Sequence, residues 1–367
     1  MNTVSVETVR SWLDEGRPVS VVDVRPLVER QEWAIPGSFH IDAYAALNAH
    51  DPGALAALDL PTDRPVVTVC AAGKTSQIAA GQLAARGLQV FSMEGGMRAW
   101  SLAWNTAKVP LTGPSCQVIQ IRRTGKGCLS YLIGTGSEAA VIDASLDPQI
   151  YLDLAKRSGW HITRVLETRI HADHLSRSRQ LAKQSGAMLF LPVQQRAHFP
   201  FTALRDGETL TAAGLNLTAL HTPGHTAESL CYLLDEYLLF TGDTLFLTSV
   251  GRPDLAASPE EAEQRTHLLY QSLHRLLALP GETVILPGHA SAPVPFDGVP
   301  LLTTLASANE QINLLQVERA DFVQMVLRKL PATPANYQRI VVLNEQGMQP
   351  EEPAAELEAG ANRCALS

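Results

Sequence analysis

The sequence predicts two α/β domains in tandem: a small one built on a parallel sheet, then a larger one built as a sandwich of sheets. Three observations carry this. Short apolar runs alternate with helical patterns over the first hundred residues. A stretch rich in turn residues follows. A new succession of closely spaced strands then begins, several of them ending in histidine or aspartate. A chain of 367 residues suits two or three domains at about 150 residues each.

In the first part, Val19 to Val24 (VSVVDV), Pro65 to Cys70 (PVVTVC) and the shorter Leu88 to Phe91 are apolar runs of strand length. Ser76 to Arg86 places apolar residues at helical spacing, with Gly87 as its stop. Strand-helix-strand order implies a parallel sheet with helices on its faces. Turn residues concentrate in NTAKVPLTGPS, so residues 1–105 are assigned to the first domain and 106–115 to a linker. The second domain is assigned to 116–345. Cys116 to Ile121, Leu129 to Gly134 and Ala139 to Asp143 read as a meander, and Ile150 to Ser158 as a helix. Strand patterns recur at Val165 to Thr168, Met188 to Leu191, Leu215 to His221, Ser229 to Leu234, Leu238 to Gly242 and Thr283 to Pro287. Pro259 to Leu279 and Leu301 to Leu330 read as helices. Residues 346–367, rich in Pro, Glu and Ala, read as a flexible tail.

Composition narrows the function. With 46% hydrophobic and 18% charged residues the chain is a packed globular one, and a net charge of −8 without a local basic cluster argues against nucleic acid as a partner. No apolar run reaches the roughly 18 residues of a membrane span, and the N-terminus lacks a basic-then-apolar signal pattern. The five cysteines are odd in number and none has CxxC spacing, which fits a reducing, cytoplasmic setting.

Cys70 closes an apolar strand, and Ala71, Ala72, Gly73, Lys74 and Thr75 separate it from the next helix. Such a turn aims backbone N–H groups and the positive end of a helix at one spot, which favours a thiolate nucleophile. Lys74 adds positive charge. This part of the chain resembles the rhodanese (sulfurtransferase) family in four separated pieces: VVDVR (21–25), AIPGS (34–38), CAAGKTS (70–76) and MEGGMRAW (93–100). The resemblance implies that Cys70 is the catalytic residue and accepts a sulfane sulfur as a persulfide, with Lys74 assisting. The loop residues Ala71, Ala72, Gly73 and Thr75 would cradle it. Lys74 stands where that family usually has arginine and so lacks the bidentate fork, which favours a thiol persulfide over thiosulfate as the donor.

The second domain carries Arg169-Ile170-His171-Ala172-Asp173-His174, then His225 in HTPGH, Asp243 in TGD and His289 in PGH, each after an apolar strand. Imidazole with carboxylate suits zinc, iron or manganese. These pieces resemble the metallo-β-lactamase family, an αββα sandwich, and within it the persulfide dioxygenases and glyoxalase II, through HTPGHTAES (221–229), FTGDTLF (240–246), GRPD (251–254) and NYQRIVVLN (336–344). The resemblance implies an iron held by two histidines and one aspartate, with His225 and Asp243 in matched positions and Arg252 near the thiol substrate. The first ligand position holds Arg169, which cannot bind a metal. Its charge at ~4 Å from a divalent cation would cost roughly 8 kcal/mol at an effective dielectric near 20.

Three arrangements follow. His171 completes a shifted triad with His225 and Asp243; a metal sits in a second position on Asp173, His174, Asp243 and His289; or no metal binds. The expected function is sulfane-sulfur transfer coupled to O₂-dependent oxidation of a low-molecular-weight thiol persulfide, of glutathione or another thiol, to sulfite. One Fe²⁺ per chain is the expected cofactor, with Zn²⁺ or none as alternatives. The rival functions are a zinc thioester hydrolase and a persulfide carrier with a degenerate metal site. The state of oligomerisation, including a homo-oligomer, is left open.

Overall fold

The computed structural model describes residues 2–111, 116–212 and 214–366. The first domain is a five-stranded parallel sheet in the order Thr3–Val4, Val90–Met93, Val66–Val69, Ser20–Asp23, Phe39–His40. Its central strands are buried on both faces, which is why they read as unbroken apolar runs. The helix Thr75–Ala85 leaves the C-terminal end of the central strand Val66–Val69 and places Cys70 at the turn between them.

The second domain is an αββα sandwich. A seven-stranded sheet runs Thr202–Leu204, Met188–Pro192, His161–Leu166, Glu138–Ile142, Leu129–Thr135, Gln117–Arg122, Asn105–Val109. A six-stranded sheet runs Thr209–Ala212, Leu215–His221, Leu230–Leu234, Leu238–Gly242, Val284–Pro287, Thr303–Thr304. Alternation along the strands divides their side chains between layers. Val118, Ile133 and Leu217 face the space between the sheets, where Tyr131 meets Phe240 edge-on at 4.9 Å. Ile119, Leu132 and Val141 face the outer helices. Burying each such side chain contributes about 1.5–3 kcal/mol. The helix expected over 301–330 is broken into Leu305–Gln311, a 3₁₀ turn at Asn313–Gln316, and Arg319–Arg328.

The expected linker 106–115 is corrected in its first part. Asn105–Val109 is the edge strand of the seven-stranded sheet, antiparallel to Gln117–Arg122. Its buried positions alternate with outward Thr106 and Lys108, and the residues that marked the segment as a turn, Pro110, Gly113 and Pro114, all lie beyond the strand in the sequence. Residues 112–115 lie outside the described residues. The two domains are joined by more than this strand. The Trp33 indole donates to the Thr124 carbonyl at 2.9 Å, and Arg123 Nε donates to the Ser101 carbonyl at 2.7 Å.

The expected flexible tail, 346–367, is likewise corrected. The chain forms a short helix, Ala354–Glu358, and returns across both domains. Glu358 is fully buried, pairs with Arg123 and Arg177, and accepts the Leu175 N–H at 2.7 Å. Beyond it, Arg252 N–H donates to the Cys364 carbonyl at 2.9 Å and Leu366 N–H to the Val250 carbonyl at 3.0 Å. A Pro/Glu/Ala composition signals disorder only when the glutamates stay in water. Here two guanidiniums from distant segments offset the desolvation of one. Glu358→Gln is expected to lower stability by about 2 kcal/mol, since it weakens two charge-assisted pairs while keeping the bond to Leu175. The denaturant midpoint and C-terminal proteolysis report it; an unchanged midpoint would mean that the tail is not held this way.

Candidate functional site

Cys70 is 2% exposed and sits in the loop between strand and helix. Gly73 N–H donates to its Sγ at 3.2 Å, and Ser76 Oγ lies 3.4 Å away, itself 2.9 Å from Ser92 Oγ. The loop is shaped from beneath by the glycine pair of MEGGMRAW. Gly96 has φ +56°, and a Cβ there would stand 2.2 Å from the Cys70 carbonyl. Met97 and Arg98 N–H groups instead bind the carbonyls of Cys70 and Ala71, at 2.8 and 3.0 Å. Ala71 and Ala72 are half-buried and Gly73 is buried; Thr75 donates to Asn48 Oδ1 at 3.1 Å; Lys74 is exposed at the start of the helix. All six expected loop residues are therefore adjacent to the sulfur or to its loop. A cavity of ≈ 290 Å³ bounded by Arg25, Trp33, Ala71, Arg98 and Ala361 lies between this loop and the returning tail.

In the second domain the strand ends converge as the spacing predicts. Arg169, His171, Asp173 and His174 follow His161–Leu166; His225 follows Leu215–His221; Asp243 and His289 follow Leu238–Gly242 and Val284–Pro287. All seven are at most 4% exposed. Gly288 allows the close approach, since a Cβ there would meet Asp243 Oδ1 at 2.7 Å.

Their pairing is governed by Arg169. Its Nη2 donates to Asp243 Oδ2 at 2.5 Å and reaches Asp173 Oδ1 at 3.5 Å. Burial raises the Asp243 carboxyl, but the Arg169 guanidinium outweighs it and holds the group well below the usual carboxylate range. The guanidinium thus stands against the carboxylate that a metal in the first position would need, and that position does not fit a cation. The shifted triad is also corrected. His171 turns to Glu167 Oε2 at 2.6 Å and Asp143 Oδ1 at 3.2 Å, and groups with these two carboxylates, not with His225 and Asp243. Its imidazolium is the charge complement of both. Burial and Arg169 lower the His171 pKa, but Glu167 and Asp143 outweigh them and bring it up to about 10. His225 accepts or donates at Nδ1 to the Arg252 carbonyl at 2.8 Å and stands 3.5 Å from Asp243; burial draws it down to about 4, so the ring is neutral at pH 7.

Arg252 is committed to partners within the chain. It is fully buried, grips Asp254 through two bonds of 2.7 Å, and spends its remaining donors on the carbonyls of Pro331, Ala332 and Arg363. All five donors are engaged, so Arg252 pins Asp254, the Pro331–Ala332 segment and Arg363 of the tail to one point. Asp173, His174 and His289 do come together: His289 Nε2 is 2.7 Å and His174 Nδ1 3.0 Å from Asp173 Oδ2. His289 also forms part of the wall of a largely apolar cavity of ≈ 440 Å³ with Leu247, Ser249, Pro331 and Leu366.

Sequence spacing did not reveal four members of this site. Cys128 and Cys364 flank the Asp173–His289 pair, and Asp143 and Glu167 hold His171. The cysteines have no motif spacing to betray them. Asp143 closes the predicted strand Ala139 to Asp143 and Glu167 lies near the end of the predicted strand Val165 to Thr168, and in the structure each directly follows its strand, a position that could have marked them.

Residues 5–103 match the model of the rhodanese-like domain and residues 123–289 that of the metallo-β-lactamase superfamily. Among curated proteins, a hydroxyacylglutathione hydrolase of Rhizobium johnstonii is 34% identical over 175 residues, 47% of this chain and 64% of that protein. One from Methylobacterium nodulans is 35% identical over 156 residues, 42% and 58% of the two chains. The chain thus spans less than two thirds of these relatives. Among solved structures, a metallo-β-lactamase from Staphylococcus aureus superposes with a TM-score of 0.59 at 28% identity, covering 65% of this chain and 75% of that one. ETHE1 from Myxococcus xanthus gives 0.56 at 27%, covering 63% and 98%.

Proposed function

From a chain that joins a rhodanese-like domain to a domain of the metallo-β-lactamase superfamily, we propose a sulfane-sulfur transferase whose nucleophile is Cys70. The observation that supports it is the loop: a buried sulfur at a strand-to-helix turn, with the Gly73 N–H directed at it at 3.2 Å. The Cys70 thiolate attacks the outer sulfur of a low-molecular-weight persulfide R–S–SH. The S–S bond breaks, R–S⁻ leaves, and Cys70 carries the persulfide. A nucleophile such as cyanide then takes the outer sulfur as thiocyanate, releasing a proton and restoring the thiolate. No oxidant is consumed. The Gly73 N–H and the Ser76 hydroxyl stabilise the anionic sulfur during both steps.

The second domain, on this proposal, binds the carrier thiol, for which the apolar cavity beside His289 offers room. Oxidation of the persulfide by iron and O₂ requires a cation in the position that Arg169 closes, so no step is assigned through it. The hydrolase reading would require the same position. The test is direct. Purified protein given glutathione persulfide and cyanide should form thiocyanate at a saturable rate, with O₂ consumption no greater than the persulfide's own. Absence of thiocyanate would overturn the transferase assignment, and persulfide-dependent O₂ uptake would overturn the assignment of the second domain.

A further inference from the structure

We propose that Cys128 is the thiolate ligand of a single zinc-class divalent ion, held together with Asp173, His174 and His289 in the position next to the one Arg169 fills. The ligand atoms of these four buried side chains lie within 4.8 Å of one another. Around a tetrahedral zinc with bonds of about 2.0–2.3 Å they would stand roughly 3.3–3.8 Å apart, so a small contraction completes the site. Three of the four already gather on one atom: His289 Nε2, His174 Nδ1 and Cys128 Sγ approach Asp173 Oδ2 at 2.7, 3.0 and 3.4 Å.

The backbone fixes Cys128 in this role. Cys128 and His289 face each other in an antiparallel bridge, secured by Leu129 N–H to the Gly288 carbonyl and Ala290 N–H to the Gly127 carbonyl, both at 2.8 Å. The same histidine turns Nδ1 to Asp243 Oδ1 at 2.6 Å. This is the carboxylate–histidine arrangement that orients a ligating imidazole. Asp243, tied to Arg169 on its other oxygen, then steadies His289 and leaves the ion to the other four. The charges close as well: Arg169 balances Asp243, and a divalent cation balances the Cys128 thiolate and Asp173. Binding displaces one proton from Cys128 and one from His289 to solvent. With four protein ligands and no open position, the ion would close the pocket and would not activate a substrate.

The experiment uses the full chain, stripped by a chelator and titrated with Co²⁺. The expected result is one cobalt per chain, intense visible bands of a tetrahedral site, and a sulfur-to-cobalt charge-transfer band in the near ultraviolet. Cys128→Ser should abolish that band and weaken binding at least ten-fold, while Cys364→Ser and Cys70→Ser leave it. For a measurement free of variants, X-ray absorption of zinc-loaded wild type should show one sulfur at about 2.3 Å among nitrogen and oxygen neighbours. Failure to bind one equivalent, a band that survives Cys128→Ser, or a zinc environment without sulfur would overturn the proposal. Thiocyanate formation is read at Cys70 and is unaffected by any of these outcomes.

Discussion

Cys70→Ser is expected to reduce thiocyanate formation from a persulfide or from thiosulfate by roughly three orders of magnitude or more, since a transfer that proceeds through a covalent intermediate ends when its nucleophile is removed. Stability should barely move. Serine fits the volume of the buried sulfur, and its hydroxyl can accept the Gly73 N–H and meet Ser76, so the loop keeps its bonds. The combination distinguishes chemistry from structure: transfer lost, with a denaturant midpoint shifted by less than about 1 kcal/mol. Retention of most of the activity would place the transferred sulfur on another group. Of the other thiols, Cys116, Cys128, Cys231 and Cys364 are all buried, and none lies in a turn of this form.

Arg169→His should have the second large effect, with opposite signs in the absence and presence of metal. In metal-free protein the guanidinium neutralises Asp243 at 2.5 Å inside a site closed to water. Removing one partner of a buried ion pair leaves the other charged and unpaired, at a cost of about 3–5 kcal/mol. Histidine at this position adds a nitrogen beside His225 and Asp243 and removes the repelling charge. Added Fe²⁺ should then recover much of the loss, about 2.7 kcal/mol at a hundred-fold excess over its dissociation constant. The gain should exceed whatever the wild type gains from the same iron, and persulfide-dependent O₂ uptake should rise above the wild-type level. Thermal melts with and without Fe²⁺ test this. A variant as stable as wild type without metal, or indifferent to iron, would show that Arg169 is not what fills the position.

Much of this was legible in the sequence because it rests on local pattern. The apolar runs VSVVDV and PVVTVC announce strands buried on both faces, and the residues at strand ends announce the two sites. Arg169 stands out by its chemistry alone. What sequence reading missed depends on partners far along the chain. Glu358 looks like one more solvated glutamate until Arg123, 235 residues away, and Arg177 are placed beside it. His171 reads as a ligand because its motif says so; the nearby carboxylates of Glu167 and Asp143 claim it instead. Arg252 reads as a substrate contact because nothing local says that the distant carbonyls of Pro331, Ala332 and Arg363 will take the donors that Asp254 leaves. Cys128 acquires a role only through a bridge to His289 across the sheet.

Arg123 has a wider consequence. Its guanidinium binds the Ser101 carbonyl of the first domain, the Ser145 carbonyl of the second and the carboxylate of the tail, with no exposure to water. None of the three can separate without stranding a buried charge, so their openings are thermodynamically linked. The unit that melts cooperatively is therefore larger than either domain alone. Exchange of amide protons across the junction should follow the global transition and not a local one. A chimera that carried a foreign first domain would therefore have to supply a carbonyl for Arg123 where Ser101 now stands.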